Sequence, residues 1–173
     1  TVLQFTIKRL MEIIGMLVLS VGIILFISLI SYSPDDPNFI FPEKTNIKNL
    51  LGYQGSYVSD LFFQSIGLTS YLISFTLIFT GINIFRNKDF FLIIENFFFV
   101  IIYSIFCSIF LNFFYKNNFE LYINGNGGFV GEYLNKTFVQ SLILKNENIS
   151  YYLLIILIIS FFLISINFTP KKI

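Results

Sequence analysis

Charged side chains are so sparse in this sequence that the gaps between them dominate its reading. Four stretches carry no charge: Ile13 to Tyr32, Leu61 to Phe85, Asn96 to Tyr115 and Asn148 to Pro170. Each is close to the roughly 20 residues with which a helix crosses about 30 Å of hydrocarbon. Apolar residues lie on every side of these stretches, without the strict alternation of a barrel strand, and an isolated strand would leave backbone groups unpaired in lipid. The pattern predicts an all-α integral membrane bundle of four transmembrane helices. The spans fall at 13–32, 61–85, 96–115 and 149–168 of a single domain, 1–173, and two longer loops occupy 33–60 and 116–147.

The first span follows Lys8 and Arg9 and ends in Ser31-Tyr32-Ser33, the outline of a signal peptide. Pro34 stands at the would-be cleavage position and blocks it, so the span reads as a retained anchor. Four spans put both termini on one side. The termini and the short connection at 86–95 hold Lys8, Arg9, Arg86, Lys88, Lys171 and Lys172, whereas the longer loops spread Lys44, Lys48, Lys116, Lys136 and Lys145 among more numerous acidic residues. By density, the basic residues near span ends predict both termini in the cytoplasm and both long loops in the periplasm.

Composition narrows the function. The chain is 55% hydrophobic and only 12% charged, against roughly 25% charged in a soluble domain. That excludes a cytosolic enzyme, a disordered segment and a disulfide-stapled secreted module. A net charge of +1 without a large Lys/Arg cluster excludes a nucleic-acid surface within these residues. With no His and the single Cys107, neither an intramolecular disulfide nor a transition-metal site is expected. Ala is absent while Phe, Ile, Asn, Lys and Tyr abound, a bias toward AT-rich codons, so the Phe runs are not read as motifs.

Ion and proton pathways need ionisable groups at membrane depth, and here Asp60 and Glu95 stand only at span edges, where side chains reach water. No span has a central Pro or a paired Gly interruption, so a transporter is not expected. Small residues instead suggest helix packing: Gly67, Ser70, Ser74 and Gly81 form a stripe on the second span, Gly15 and Gly22 mark the first, and Ser104 and Ser108 flank Cys107 in the third. These surfaces serve a compact bundle or contacts between copies. Pro34-Asp35-Asp36-Pro37 stops the first helix in a rigid turn whose carboxylates cap nearby N–H groups. Gly52 and Gly55 allow a tight re-entry toward the second span, with Ser56 or Asp60 as a helix cap. Gly127, Gly128 and Gly131 belong to a Gly-rich turn with no following Lys-Ser/Thr, which argues against a phosphate cradle; an amphipathic helix, Val130 to Leu144, is expected to follow on the membrane surface. Asn135-Lys136-Thr137 and Asn148-Ile149-Ser150 match the glycosylation pattern, as chance allows in an Asn-rich chain.

Taken in order, these features resemble the membrane domain of the FtsK/SpoIIIE DNA translocase family. Ser31 to Phe39 is similar to that family's Asn-Pro-x-Asp-Pro-Ser-Trp-type turn, and Asn49 to Leu61 to its Asn-x-Gly-Gly-x-x-Gly-Ala-x-x-Ala-Asp-x lead into the second helix, continued by Phe62, Phe63 and Gly67. Gly127 to Gly131 resembles the Gly-Gly-x-x-Gly before the last helix. Phe39 for Trp keeps an aromatic ring, and Ser56 for Ala keeps a small side chain, while Leu51 replaces the first Gly of a pair.

The resemblance implies a non-enzymatic membrane anchor and septal interaction domain in the bacterial inner membrane. In the family, a linker tethers this domain to a cytoplasmic hexameric ATPase that moves double-stranded DNA during chromosome segregation. It further implies a homo-oligomer, a hexamer, with the lipid bilayer and division proteins as partners. ATP, Mg²⁺ and DNA are then met only by the motor, for which no Walker A sequence occurs here. A start without Met and an end at Lys171-Lys172-Ile173 lead us to expect a piece of a longer polypeptide. The alternative is an accessory integral-membrane subunit of a respiratory or transport complex, which would co-purify with redox or transport subunits.

Overall fold

A computed structural model describes residues 2–38, 46–116 and 124–167. Phe39, Lys44, Lys171, Lys172 and the expected end of the fourth span at residue 168 lie outside the described residues. The described elements are helical: α1 (Val2–Ile30), α2 (Gly52–Ile66), a 3-10 turn (Gly67–Thr69), α3 (Ser70–Asn87), α4 (Phe91–Phe114), α5 (Gly128–Asn135), α6 (Phe138–Lys145) and α7 (Glu147–Ser165). Four stretches are long and apolar enough to cross a membrane: Val2–Ile30, Gly52–Asn87, Phe91–Phe114 and Glu147–Ser165. The protein is an all-α, multi-pass membrane protein.

The helices exceed or divide the charge-free stretches in instructive ways. α1 starts well before residue 13, because Lys8, Arg9 and Glu12 are tolerated on a helix that outruns the bilayer. The second stretch is divided: Gly67 adopts φ 63°, a left-handed conformation, and ends α2 before α3 begins. The stretch Gly52–Asn87, which contains the expected span at 61–85, thus consists of α2, the 3-10 turn and α3. α3 alone, with 18 residues, is about 27 Å long, while α2 carries Gln54, Ser56, Ser59, Asp60 and Gln64 and packs against the end of α1. Lys88 in the left-handed region closes α3, and Asp89 accepts from the Phe91 N–H at 2.9 Å to start α4. The single amphipathic helix expected over 130–144 is corrected to two short helices, since Thr137 stops one and caps the next through the Val139 N–H.

In the bundle α1 packs along α3 and α7 along α4, while thinner seams join α3 to both α4 and α7. At the α1–α3 contact the backbones touch. A Cβ on Gly15 would lie 2.7 Å from the Phe85 nitrogen, one on Gly22 2.8 Å from the Ile78 nitrogen, and one on Gly81 would strike the Leu19 backbone. α2, α5 and α6 gather where the two long loops emerge, here called the loop end; the opposite, terminal end carries the start of α1 and the finish of α7. Two apolar clusters underlie the loop end, one around Leu25, Leu29 and Phe63, the other around Ile109, Ile143 and Leu154.

Candidate functional site

The motifs that stood apart in the sequence converge on the loop end. After α1 the chain turns so that the Asp36 N–H bonds the Ser33 carbonyl at 3.1 Å. The Asp36 carboxylate, 3% exposed, then accepts from two backbone N–H groups, Lys48 and Asn49, each at 2.8 Å. It thus pins the neck of the first long loop, capping residues twelve and thirteen positions on rather than its own turn. Asp35 faces the other way, and its exposed carboxylate meets Lys48 Nζ at 2.7 Å, which pushes the Lys48 ammonium above its usual pKa. The neighbouring carboxylates therefore share no site.

Around this neck the polar groups serve one another. The Ser56 hydroxyl donates to the carbonyl of buried Pro37 at 2.6 Å, and the Ser28 hydroxyl to the Gly55 carbonyl at 2.6 Å. The Asn49 amide nitrogen donates to the Ser28 carbonyl at 2.9 Å, while its oxygen accepts from the Leu51 N–H at 3.0 Å. That oxygen sits where a Cβ on Gly55 would be. Gly52, at φ 64°, opens α2 in open space. Ser56 and Asp60 lie inside α2 and cap nothing. Asp60, expected at a water-reachable edge, is 3% exposed and accepts from the Tyr32 hydroxyl at 3.3 Å.

The Gly-rich segment builds a second joint beside the first. A Cβ on Gly67 would strike the Asn126 carbonyl, which accepts from the Leu68 N–H at 2.9 Å. Gly128, at φ 63°, would place a Cβ 2.5 Å from the backbone nitrogens of Gly67 and Ile66. Gly127 and Gly131 lie against the Ser108 carbonyl of α4, whose hydroxyl donates to the Ile66 carbonyl at 3.3 Å. Three segments meet here backbone to backbone. The N–H groups of Gly128 and Gly131 turn inward to Gly125 and Gly127 carbonyls, so this loop cradles its own chain.

Of the other small residues, Ser70, Ser74 and Ser104 fold their hydroxyls back onto Gly67, Tyr71 and Ile101 carbonyls, which leaves smooth, buried surfaces. Gly67 stands in the turn and not on the stripe of α3.

Sequence reasoning missed a polar line through the middle of the bundle. The Thr76 hydroxyl lies 3.0 Å from the Tyr103 hydroxyl and 3.2 Å from that of Ser165. Nearer the terminal end, the Asn96 amide donates to Thr80 at 2.7 Å and accepts from Asn167 at 2.8 Å, and Asn83 donates to the Ile166 carbonyl at 3.0 Å. The available signal was polar residues inside apolar runs, which mark interhelical hydrogen bonds. At the terminal surface Glu12 pairs with Arg9 at 2.6 Å and Lys88 at 2.5 Å.

This chemistry is that of a scaffold: buried carboxylates, amides and hydroxyls hold backbone, and the loop end becomes a shaped platform. Residues 7–171 match the family described as the 4TM region of DNA translocase FtsK/SpoIIIE. The chain belongs to this family. The FtsK/SpoIIIE membrane region thus accounts for nearly the whole chain. Among curated relatives, the DNA translocase FtsK of Rickettsia typhi is 35% identical over 68 residues, 39% of this chain and 9% of that protein. That of Rickettsia prowazekii is 38% identical over 63 residues, 36% of this chain and 8% of the relative, and that of Azospirillum brasilense 35% over 72 residues, 40% and 11%. The chain spans only a small part of these relatives. No solved structure matches it.

Proposed function

We propose that this FtsK-family membrane region is the anchor and septal interaction domain of a bacterial cell-division DNA translocase whose ATPase motor lies outside residues 1–173. The family match over 7–171 carries the reading and favours it over an accessory respiratory or transport subunit. The terminal end bears Lys8, Arg9, Arg86 and Lys88, and the positive-inside rule sets it in the cytoplasm and the loop end in the periplasm. A motor joined at the terminal end is then held at the inner membrane, where it works on DNA with ATP and Mg²⁺ as a hexamer. The platform at the loop end meets division proteins, with the exposed, stacked rings of Phe129 and Tyr133 as a contact.

The test is to image a fluorescent fusion of residues 1–173 in dividing cells. We expect a focus at the septum that is lost on Phe129→Ser with Tyr133→Ser while membrane insertion persists. An even distribution of the unaltered chain along the envelope would overturn the proposal.

A further inference from the structure

α7 is the least covered of the four spanning stretches, with 11% of its apolar window buried where the others have 28% or more. It packs along α4, but α6, which directly precedes it, barely leans on it. Extended Asn146, at φ −148° and ψ 71°, turns the chain between the two helices and leaves a cleft there. Ile109 of α4, Ile143 of α6 and Leu154 of α7 are buried at its base, and Val139, Leu142 and Leu153 flank a cavity of about 260 Å³. Through Ile149 and Leu153 this cavity opens into a second hollow of about 470 Å³, which follows α7 to Ile156 and Leu157. Joined, the two fall within the roughly 300–1,000 Å³ of a small-molecule site. At the head of the groove Asn146, Glu147 and Asn148 line a polar hollow that also reaches Ile149. The groove is therefore polar at the first turn of α7 and apolar beyond it.

Depth and charge decide what fits. From Ile149 to Leu157 the groove descends eight residues, about 12 Å along the helix, close to the ~15 Å of a single leaflet. A partner helix would need a face running on to Ser165, but the hollow stops midway, at Leu157. Lys145 and Glu147 stand exposed on either side of Asn146, and neither has an ion-pair partner among the described residues. A cation and an anion side by side complement a zwitterionic headgroup, the ammonium of one meeting the phosphate and the carboxylate of the other meeting an amine.

We infer that this groove holds one aminophospholipid of the phosphatidylethanolamine class, drawn from the leaflet at the loop end. An acyl chain lies along Leu153 to Leu157, the phosphate meets Lys145, and the primary ammonium meets Glu147. The lipid fills the space that α6 leaves beside α7 and so joins the short helix to the span. The inference rests on α6 and α7 with their bed on α4, and stands apart from the septal reading.

Photo-crosslinking tests it, with the full-length protein in phosphatidylcholine vesicles that contain a small fraction of phosphatidylethanolamine bearing a diazirine on its acyl chain or, in parallel, the matching phosphatidylglycerol. After peptide mapping, the phosphatidylethanolamine probe is expected to label residues 139–157 several-fold more than residues 13–24 of α1, where Ile13, Leu17, Val21 and Ile24 are also exposed. It should also label 139–157 several-fold more than the phosphatidylglycerol probe does. Leu153→Trp, which fills the groove, should remove that excess and leave labelling of α1 unchanged. Glu147→Lys, at an exposed position that leaves the groove intact, should turn the preference toward phosphatidylglycerol, because two cations then face the phosphate and no carboxylate receives the amine. Even labelling of α1 and α7, as by annular lipid, would overturn the inference. So would equal labelling by the two probes, an unlabelled groove because a second copy or another protein covers it, or a preference that Glu147→Lys does not move.

Discussion

Asp35 and Asp36 are neighbours with opposite duties, and the difference is measurable. Asp36→Ala leaves two N–H groups without their acceptor in a closed neck and should cost about 2 kcal/mol, with Asp36→Asn recovering part of this; thermal unfolding in detergent reads both. Asp35→Ala removes only an exposed ion pair and should leave the unfolding temperature nearly unchanged. Because the partner carboxylate raises the Lys48 pKa, the pair's small contribution is present below 10.5 and is lost as pH rises through the raised value. Glu132, held low by Lys136, behaves in the opposite sense: its contribution is present above 4.5 and fades as pH falls through the lowered value. The sequence made the Pro-Asp-Asp-Pro turn legible through its prolines, but not which carboxylate turns inward. That is decided by Lys48 and Asn49, which a long loop brings back beside it. Asn96 and Thr76 were illegible for a related reason, since a polar residue in an apolar run shows its partner only once α3, α4 and α7 are side by side.

Helices as units were the most legible level, because lipid removes the alternatives and lets charge-free length decide. What length does not register is a backbone joint. Gly67 sits within an unbroken charge-free run, yet its left-handed φ and the approach of Asn126 separate α2 from α3. Gly128→Ala tests this joint: strain at positive φ and collision with the Gly67 and Ile66 nitrogens should cost about 3 kcal/mol or more, seen as a large fall in unfolding temperature or as aggregation on extraction. Gly125→Ala carries positive φ without crowding and should cost less. Between α1 and α3, Gly81→Leu should drive the backbones apart and expose the end of α2 to proteolysis, because Ser28 and Tyr32 no longer reach Gly55 and Asp60.

At the scale of the molecule, two packed pairs of helices give each half a different dependence on its neighbours. α1 leans on α3, and α7 on α4, with the polar line of Thr76, Tyr103 and Ser165 tying the halves together. A cysteine at exposed Lys116 should react with a membrane-impermeant maleimide in intact cells, and one at Arg86 only after the membrane is opened; the reverse pattern would invert the proposed orientation. The finish of α7 carries a mechanical consequence. A pull on the chain at Asn167 does not meet α7 alone, because Asn167 is bonded to Asn96 of α4 and the adjoining Ile166 carbonyl to Asn83 of α3. Those bonds are loaded together, in shear, so tension arriving from the terminal side is divided among three helices before any of them can peel away into the lipid.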